Sequence, residues 1–281
     1  MVVLVTGANG QLGQSLQFIA PNYPEIQFHF LNSAELDVSN LNSIASAFKQ
    51  VKPHFCINAA AYTAVDKAES ETDKAHLINT IGPRNIAEAC RSYDTTLLHI
   101  STDFVFDGNQ NTPYTEEDLT NPQGVYGTTK RDGELEIIQA TKAYFIIRTS
   151  WLYSQFGNNF MKTMLRLGNE KTELNVVNDQ IGTPTHAVDL AEILVKIIKS
   201  NSQNYGVYHF SNEGSISWYD FAQKIFTLNK VAISLHPIPT SQYPTPAKRP
   251  MYSVLDKFKI KTEFKTTIPT WDKSLVSHLN Q

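Results

Sequence analysis

The chain has 281 residues and a mass of 31.6 kDa, which suits one large domain or two modest ones around a real core. Its 24 Lys and Arg against 27 Asp and Glu give a net charge of −3, so no broad basic surface is available for nucleic acid. Hydrophobic content of 41%, with 11% aromatic, argues against disorder, and no run approaches the roughly 20 apolar residues of a membrane helix.

The start, MVVLVTGANG, has no basic n-region and no small-residue cleavage site, and reads as a first strand rather than a signal peptide. Residues 2–6 are a β-branched run that ends in glycines. Residues 11–19 follow with Leu12, Leu16 and Ile19 at helical spacing. The run 26–31 reads as a strand. Residues 41–49 read as a helix with Leu41, Ile44, Ala45 and Phe48 on one face, opened by the capping types Asp37, Ser39 and Asn40. A strand is expected over 55–60, then a long helical stretch over 72–93 with a kink or break at Pro83, which has no backbone donor. Strands over 96–101 and 144–150 enclose a helix over 126–140.

Strand and helix in alternation predict an α/β fold, a doubly wound parallel sheet covered by helices on both faces. This first domain takes residues 1–150. After Trp151 the rhythm breaks and Tyr, Pro and polar residues become frequent. Residues 151–281 are therefore expected to form mostly a smaller, mixed α+β substrate lobe. Part of it, near 175–200, is expected to return to the sheet, with 188–199 as a helix. The proline-rich 238–250 reads as a loop. Cys56 and Cys90, in apolar strand-like and helical runs, are expected to be buried, reduced thiols of a cytosolic protein. The eight histidines show no metal-ligand spacing, and no metal is expected.

Gly7-Ala8-Asn9-Gly10-Gln11-Leu12-Gly13 is G-x-x-G-x-x-G between a strand and a helix. Such a turn lets the backbone approach a pyrophosphate, which the free N–H groups of the helix N-terminus then hold. The pattern alone is also a plain tight turn, but its place on the first strand of an alternating chain favours a dinucleotide. The acid usual at the end of the second strand, for the ribose 2′-OH, is missing from Leu31-Asn32-Ser33, and no arginine replaces it. Asn32 and Ser33 can donate hydrogen bonds to a 2′-phosphate, so NADP(H) is slightly favoured over NAD(H). Asp37 and Val38 can reach an adenine, although Asp37 serves equally well as a helix cap.

Tyr126-Gly127-Thr128-Thr129-Lys130 puts a phenol and an ammonium on one helical face. An ammonium beside the phenol is expected to draw its pKa toward neutral, so that Tyr126 can exchange a proton with a carbonyl or alcohol. Thr102, at the end of the strand 96–101, offers a hydroxyl to the same oxygen. Asn58-Ala59-Ala60-Ala61-Tyr62-Thr63 ends the preceding strand with small side chains, leaving room for a flat ring or ribose.

These residues, together with VTGANGQLG at 5–13, NAAAYTAVDKAE at 58–69, STDFVFDG at 101–108, RTSWLY at 148–153, GNNFMKTMLRLG at 157–168 and NDQIGTPT at 178–185, resemble the extended short-chain dehydrogenase/reductases. Within them the chain is similar to the dTDP-4-dehydrorhamnose reductase family. The resemblance covers the first two-thirds of the chain, with PTPAKRP at 244–250 beyond it. It implies a Rossmann-type fold, a nicotinamide cofactor and a nucleotide-sugar substrate whose C4 keto group is reduced. Tyr126 would be the proton donor, Lys130 would hold the nicotinamide ribose and tune Tyr126, and Thr102 would assist at the carbonyl. Gly7, Gly10, Gln11, Leu12 and Gly13 would surround the pyrophosphate, and Ala60, Ala61, Tyr62 and Thr63 would line the cofactor. Thr102, Asp103 and Trp151 would contact the sugar, with Asn159, Gln180 and Arg249 as further substrate candidates and Arg249 on the diphosphate.

Two departures limit the carry-over. Phe104 stands where tyrosine is common. Some relatives share Mg²⁺ between subunits through glutamates, but the first helix here carries Gln14-Ser15, so neither that metal nor that dimer is transferred, and a monomer or weak homodimer is expected. Rival readings are an epimerase or dehydratase on the same fold and a non-catalytic, cofactor-binding regulatory subunit. The first lacks the Asp-Glu pair that dehydratases often carry after the threonine, and the second is at odds with an intact Thr102, Tyr126 and Lys130.

Overall fold

Strand β1 (Val2–Thr6) is buried on both faces. Its pleat sends Val3 and Val5 into one apolar cluster and Leu4 into another. In the computed structural model, which describes residues 1–279, the chain continues through α1 (Gln11–Ile19), β2 (Gln27–Leu31), α2 (Leu41–Val51) and β3 (Phe55–Asn58). Short helices α3 (Val65–Ala68) and α4 (Thr72–His76) lead to α5 (Gly82–Ser92), β4 (Thr96–Thr102), α6 (Val125–Ala140) and β5 (Tyr144–Thr149). Beyond come β6 (Leu152–Tyr153), α7 (Phe160–Glu170), β7 (Glu173–Val177), β8 (Ile181–Gly182), β9 (Thr185–His186), α8 (Ala187–Ser200) and β10 (Gly206–His209). The chain closes with β11 (Ile216–Ser217), α9 (Trp218–Leu228), β12 (Ser234–Ile238), α10 (Phe258–Glu263) and α11 (Trp271–Leu279).

Six strands form one parallel sheet in the order β10-β5-β4-β3-β1-β2. Helices α1 and α8 cover one face, where Leu12, Leu16, Leu190, Leu194 and Ile198 pack on Val3, Ile57 and Ile147. Helices α2, α5 and α6 cover the other through Phe48, Ile86 and Ile137, with the free thiols Cys56 and Cys90 buried among them. The chain leaves β1 toward β2 on one side and β3 on the other. The carboxyl ends of these strands therefore border a crevice, where open α/β sheets take ligands.

Pro83 lies at the start of α5, directly after a π-helical turn over Leu77–Ile81. Proline supplies no N–H and its ring crowds the carbonyl four residues back, so the ladder widens there instead of running on. The wide turn faces Asn79 toward the loop after β3. Its amide clamps Tyr62, accepting from Tyr62 N–H at 2.8 Å and donating to Tyr62 O at 3.0 Å.

The second lobe is built on α7, α9, β7 and β12, around Tyr153, Met161, Met164, Phe221 and Phe226. Residues 187–210 return to the first: α8 packs on the sheet and β10 extends it beside β5. The proline-rich segment starts within β12, which ends at Ile238, and then crosses back to the first lobe.

Candidate active site

The glycine loop turns at Gly7, whose φ of +66° is left-handed and whose missing Cβ would sit 2.8 Å from the Ala59 and Ala60 backbone. Gly10 N–H closes the turn on Gly7 O at 2.9 Å. Helix α1 then starts with no side-chain cap on Gly10, and its first N–H groups, from Gln11 to Gly13, face the crevice uncapped. This uncapped terminus with its close backbone fits a dinucleotide pyrophosphate. Gln11 also ties the lobes together, its Oε1 accepting from Asn159 Nδ2 at 3.0 Å.

Beyond β2, Asn32 forms a turn in which Oδ1 accepts from Ala34 N–H at 2.9 Å. The strand end is not free of acid, as the sequence suggested. Glu35 folds back so that its Oε2 accepts from Asn32 N–H at 2.9 Å. Asp37 is engaged as a turn former, Oδ1 accepting from Ser39 N–H and Ser39 Oγ at 2.9 and 2.7 Å. Val38 is buried beside Gly82, and its carbonyl accepts from Asn85 Nδ2 at 3.2 Å. After β3, Ala60 and Ala61 are half-buried, Tyr62 is buried under the Asn79 clamp, and Thr63 is exposed.

Thr102 ends β4, donating to Asp103 Oδ1 at 3.0 Å and accepting from Phe104 N–H at 3.3 Å. Helix α6 approaches this turn so closely that a Cβ on Gly127 would lie 2.2 Å from Phe104 O. The approach brings the Tyr126 phenol beside Thr102, with its ring edge-on to Phe104 at 5.5 Å. Burial first, and the Asp103 carboxylate second, push the phenol up to about 12. Burial also lifts the Asp103 carboxyl to about 6, against the Ser253 and Thr102 hydroxyls, which favour its charged form.

Here the structure corrects the expectation that Lys130 draws the phenol toward neutral. The Lys130 ammonium turns into the sheet, 2.7 Å from Ile100 O and 3.2 Å from His99 Nε2. A fully buried ammonium needs acceptors, and β4 supplies these two. Burial brings Lys130 down to about 8 although Glu134, one turn on, opposes the fall.

On the second lobe, Trp151 adopts φ +47°, a strained value for a bulky residue, and stacks on Trp218 at 3.5 Å. Trp218, Gln180, Arg249, Phe160, Val177 and Tyr243 line a cavity of about 740 Å³. Asn159 is not in this lining. Its amide caps α7, accepting from Lys162 N–H at 3.1 Å and donating to Ser154 O at 2.7 Å, so its bonding capacity is taken up structurally. Gln180 Nε2 donates to Thr240 Oγ1 at 3.0 Å. Arg249 reaches the cavity while paired with Asp66 of α3. Sequence reasoning gave no role to Asn79, Glu35 or His99. A helical Asn shortly before a proline was the signal available for the first.

A parallel nucleotide-binding sheet with Thr102, Tyr126 and Lys130 gathered at its carboxyl edge defines the class: an NAD(P)-dependent oxidoreductase of the short-chain dehydrogenase/reductase type. A profile described as the RmlD substrate binding domain matches residues 1–281. The dTDP-4-dehydrorhamnose reductase of Aggregatibacter actinomycetemcomitans is 42% identical, over 97% of this chain and 96% of that protein. Two solved structures superpose with a TM-score of 0.95. One is a dTDP-4-dehydrorhamnose reductase from Clostridium acetobutylicum, 43% identical over 100% of this chain and 99% of that one. The other is the enzyme from Bacillus anthracis in complex with NADP, 40% identical over 99% and 98%. The chain belongs to the RmlD family of dTDP-4-dehydrorhamnose reductases.

Proposed function

We propose that this chain reduces the C4 keto group of dTDP-4-dehydro-L-rhamnose to dTDP-L-rhamnose, a sugar donor for bacterial surface polysaccharide. NADPH is favoured and NADH is usable. The observation that carries the reading is the Tyr126 phenol held beside Thr102 at the crevice. When bound, the nicotinamide supplies the hydride. Tyr126 stays protonated at working pH, which is the form needed to give a proton to the ketone oxygen. The Thr102 hydroxyl hydrogen-bonds that oxygen, and Lys130 holds the cofactor ribose. Gly7 to Gly13, Asn32, Val38 and 60–63 hold the remaining cofactor. Asp103 and Trp151 face the sugar, and Gln180 and Arg249 the nucleotide diphosphate.

The reading places the cofactor on residues 1–150 with the returning helix, and the substrate mostly on 151–281. It puts the protein in the cytosol, where its two free thiols stay reduced, as a monomer or weak homodimer with no nucleic-acid or membrane partner. The test is oxidation of NADPH and of NADH against a panel of nucleotide keto sugars. Fastest turnover with the dTDP-linked 4-keto sugar is expected, and equal turnover of uridine-linked substrates would remove the base assignment.

A further inference from the structure

Lys130 is anchored by a residue that the reading above leaves without a role. His99 is fully buried in β4, and its Nε2 lies 3.2 Å from Lys130 Nζ. Its other ring nitrogen, Nδ1, lies 3.1 Å from Asn58 Nδ2 on β3. Asn58 Oδ1 in turn accepts from Thr6 Oγ1 on β1 at 2.7 Å, and Thr6 Oγ1 accepts from Ala60 N–H at 3.2 Å. The strand register explains the alignment. Thr6 pairs with Asn58 and Asn58 with His99, so three polar side chains form one row across an otherwise apolar sheet. Such a row is costly in a core unless every member is bonded.

We propose that His99 is a positioning residue for the reduction, holding Lys130 through Nε2 and stabilising its ammonium form through a buried row completed by Asn58 and Thr6. The proposal rests on the reading that Lys130 serves the cofactor ribose beside Tyr126. His99 stays neutral, because burial and the nearby lysine charge both disfavour its imidazolium. A neutral ring accepts from the ammonium at Nε2 only if Nδ1 carries the proton, which takes the Asn58 amide turned over from the orientation shown, with Oδ1 accepting from Nδ1–H and Nδ2 donating to Thr6 Oγ1. With the Asn58 amide as shown, Nδ2 donates to Nδ1, the ring proton sits on Nε2, and an uncharged Lys130 amine accepts it. The row thus matches Lys130 in both protonation states. Other charged or titratable groups around Lys130 are Glu134 on α6, itself ion-paired to Arg148 of β5, and Tyr126 and Asp103 toward the crevice. Strands β1 and β3 contribute only the uncharged Thr6 and Asn58 to the row.

The test is the pH dependence of NADPH affinity, read by nicotinamide fluorescence, alongside the pH profile of kcat. The variants are His99→Leu, His99→Gln, Asn58→Asp and Lys130→Met. Losing an acceptor disfavours the ammonium, so His99→Leu moves the alkaline limb of both profiles down by about 1–2 pH units. His99→Gln, which keeps an acceptor oxygen, restores most of the shift. Asn58→Asp holds the proton on Nδ1 and moves the limb up. A folded His99→Leu protein, judged by circular dichroism, whose limb coincides with wild type overturns the proposal. If that variant does not fold, an unmoved or lowered limb in Asn58→Asp overturns it. Lys130→Met separates the two levels: retained turnover and NADPH affinity there defeat the functional reading, whereas lost affinity with an unmoved His99→Leu limb defeats only the role of His99.

Discussion

Asp66 on α3 grips the Arg249 guanidinium of the second lobe through two hydrogen bonds, Nη1 to Oδ1 at 3.0 Å and Nη2 to Oδ2 at 2.8 Å. Asp66 Oδ1 also accepts from Ala247 N–H at 3.2 Å, so the proline-rich segment is tied to α3 at two points. Arg249 is thereby held at the wall of the 740 Å³ cavity. Replacing Arg249 with Ala is expected to raise KM for the nucleotide sugar about 10- to 100-fold, the range for a charge-assisted bond to a charged group. Lysine recovers only part, because it cannot form the paired fork. Steady-state kinetics decide, and an unchanged KM would leave Arg249 as a strap alone.

Tyr126→Phe keeps the edge-on contact with Phe104 and removes the proposed proton donor. We expect kcat to fall about 10²- to 10⁴-fold with folding intact. Because burial holds the phenol high, the wild-type profile should show no loss from tyrosine ionisation below roughly pH 10. A fully active Phe variant would remove the mechanism.

Asp103 is a buried carboxyl whose folded pKa, about 6, lies above its ordinary 3.8. Such a group costs stability wherever it is charged in both states, which is above pH 6. The cost fades as pH falls through 6 toward 4. Asp103→Asn should therefore be more stable than wild type at pH 7.5, by up to about 3 kcal/mol, and no more stable at pH 4. Urea unfolding at both pH values checks the sign, and a variant less stable at pH 7.5 contradicts the account.

Glu134 and Arg148 form a buried pair, with Arg148 Nε and Nη2 donating at 2.9 and 2.7 Å to the two carboxylate oxygens. Truncating Glu134 to Leu strands the guanidinium in the core, where its remaining contacts are His209, held down to about 3 by burial, and the Phe106 ring. The expected loss is about 3–5 kcal/mol, or on the order of 10 °C in Tm. Calorimetry is the measurement.

Glu35 occupies the Asn32 N–H at the end of β2, where the proposed function has Asn32 hold the cofactor. Glu35→Gln removes an exposed negative charge from that position. The kcat/KM ratio of NADPH over NADH should rise about 2- to 5-fold, the scale of a solvent-screened charge interaction. An unchanged ratio would show that the carboxylate lies outside the reach of the ribose.

Short-range chemistry was legible in the residues themselves. The glycine turn, the Tyr126–Lys130 spacing and the helix over 11–19 follow from local sterics and helical period, so neighbouring residues suffice to specify them. The alternation of strands and helices likewise announced a parallel sheet. What the residues could not reveal was where long side chains end. The ammonium of Lys130 could face the phenol or the sheet, and only the burial of α6 against β4 turned it to His99 and Ile100. The row from Thr6 to His99 joins residues more than forty positions apart through strand register. Strand β10 has its place only because α8 first returns the chain to the sheet. Arg249 meets Asp66 across 183 residues of chain, a pairing set by how the second lobe closes on the first. Period and turn chemistry act over a few residues and are written in order along the chain, whereas these partnerships depend on pleat, helix rotation and packing, which exist only once the chain is folded.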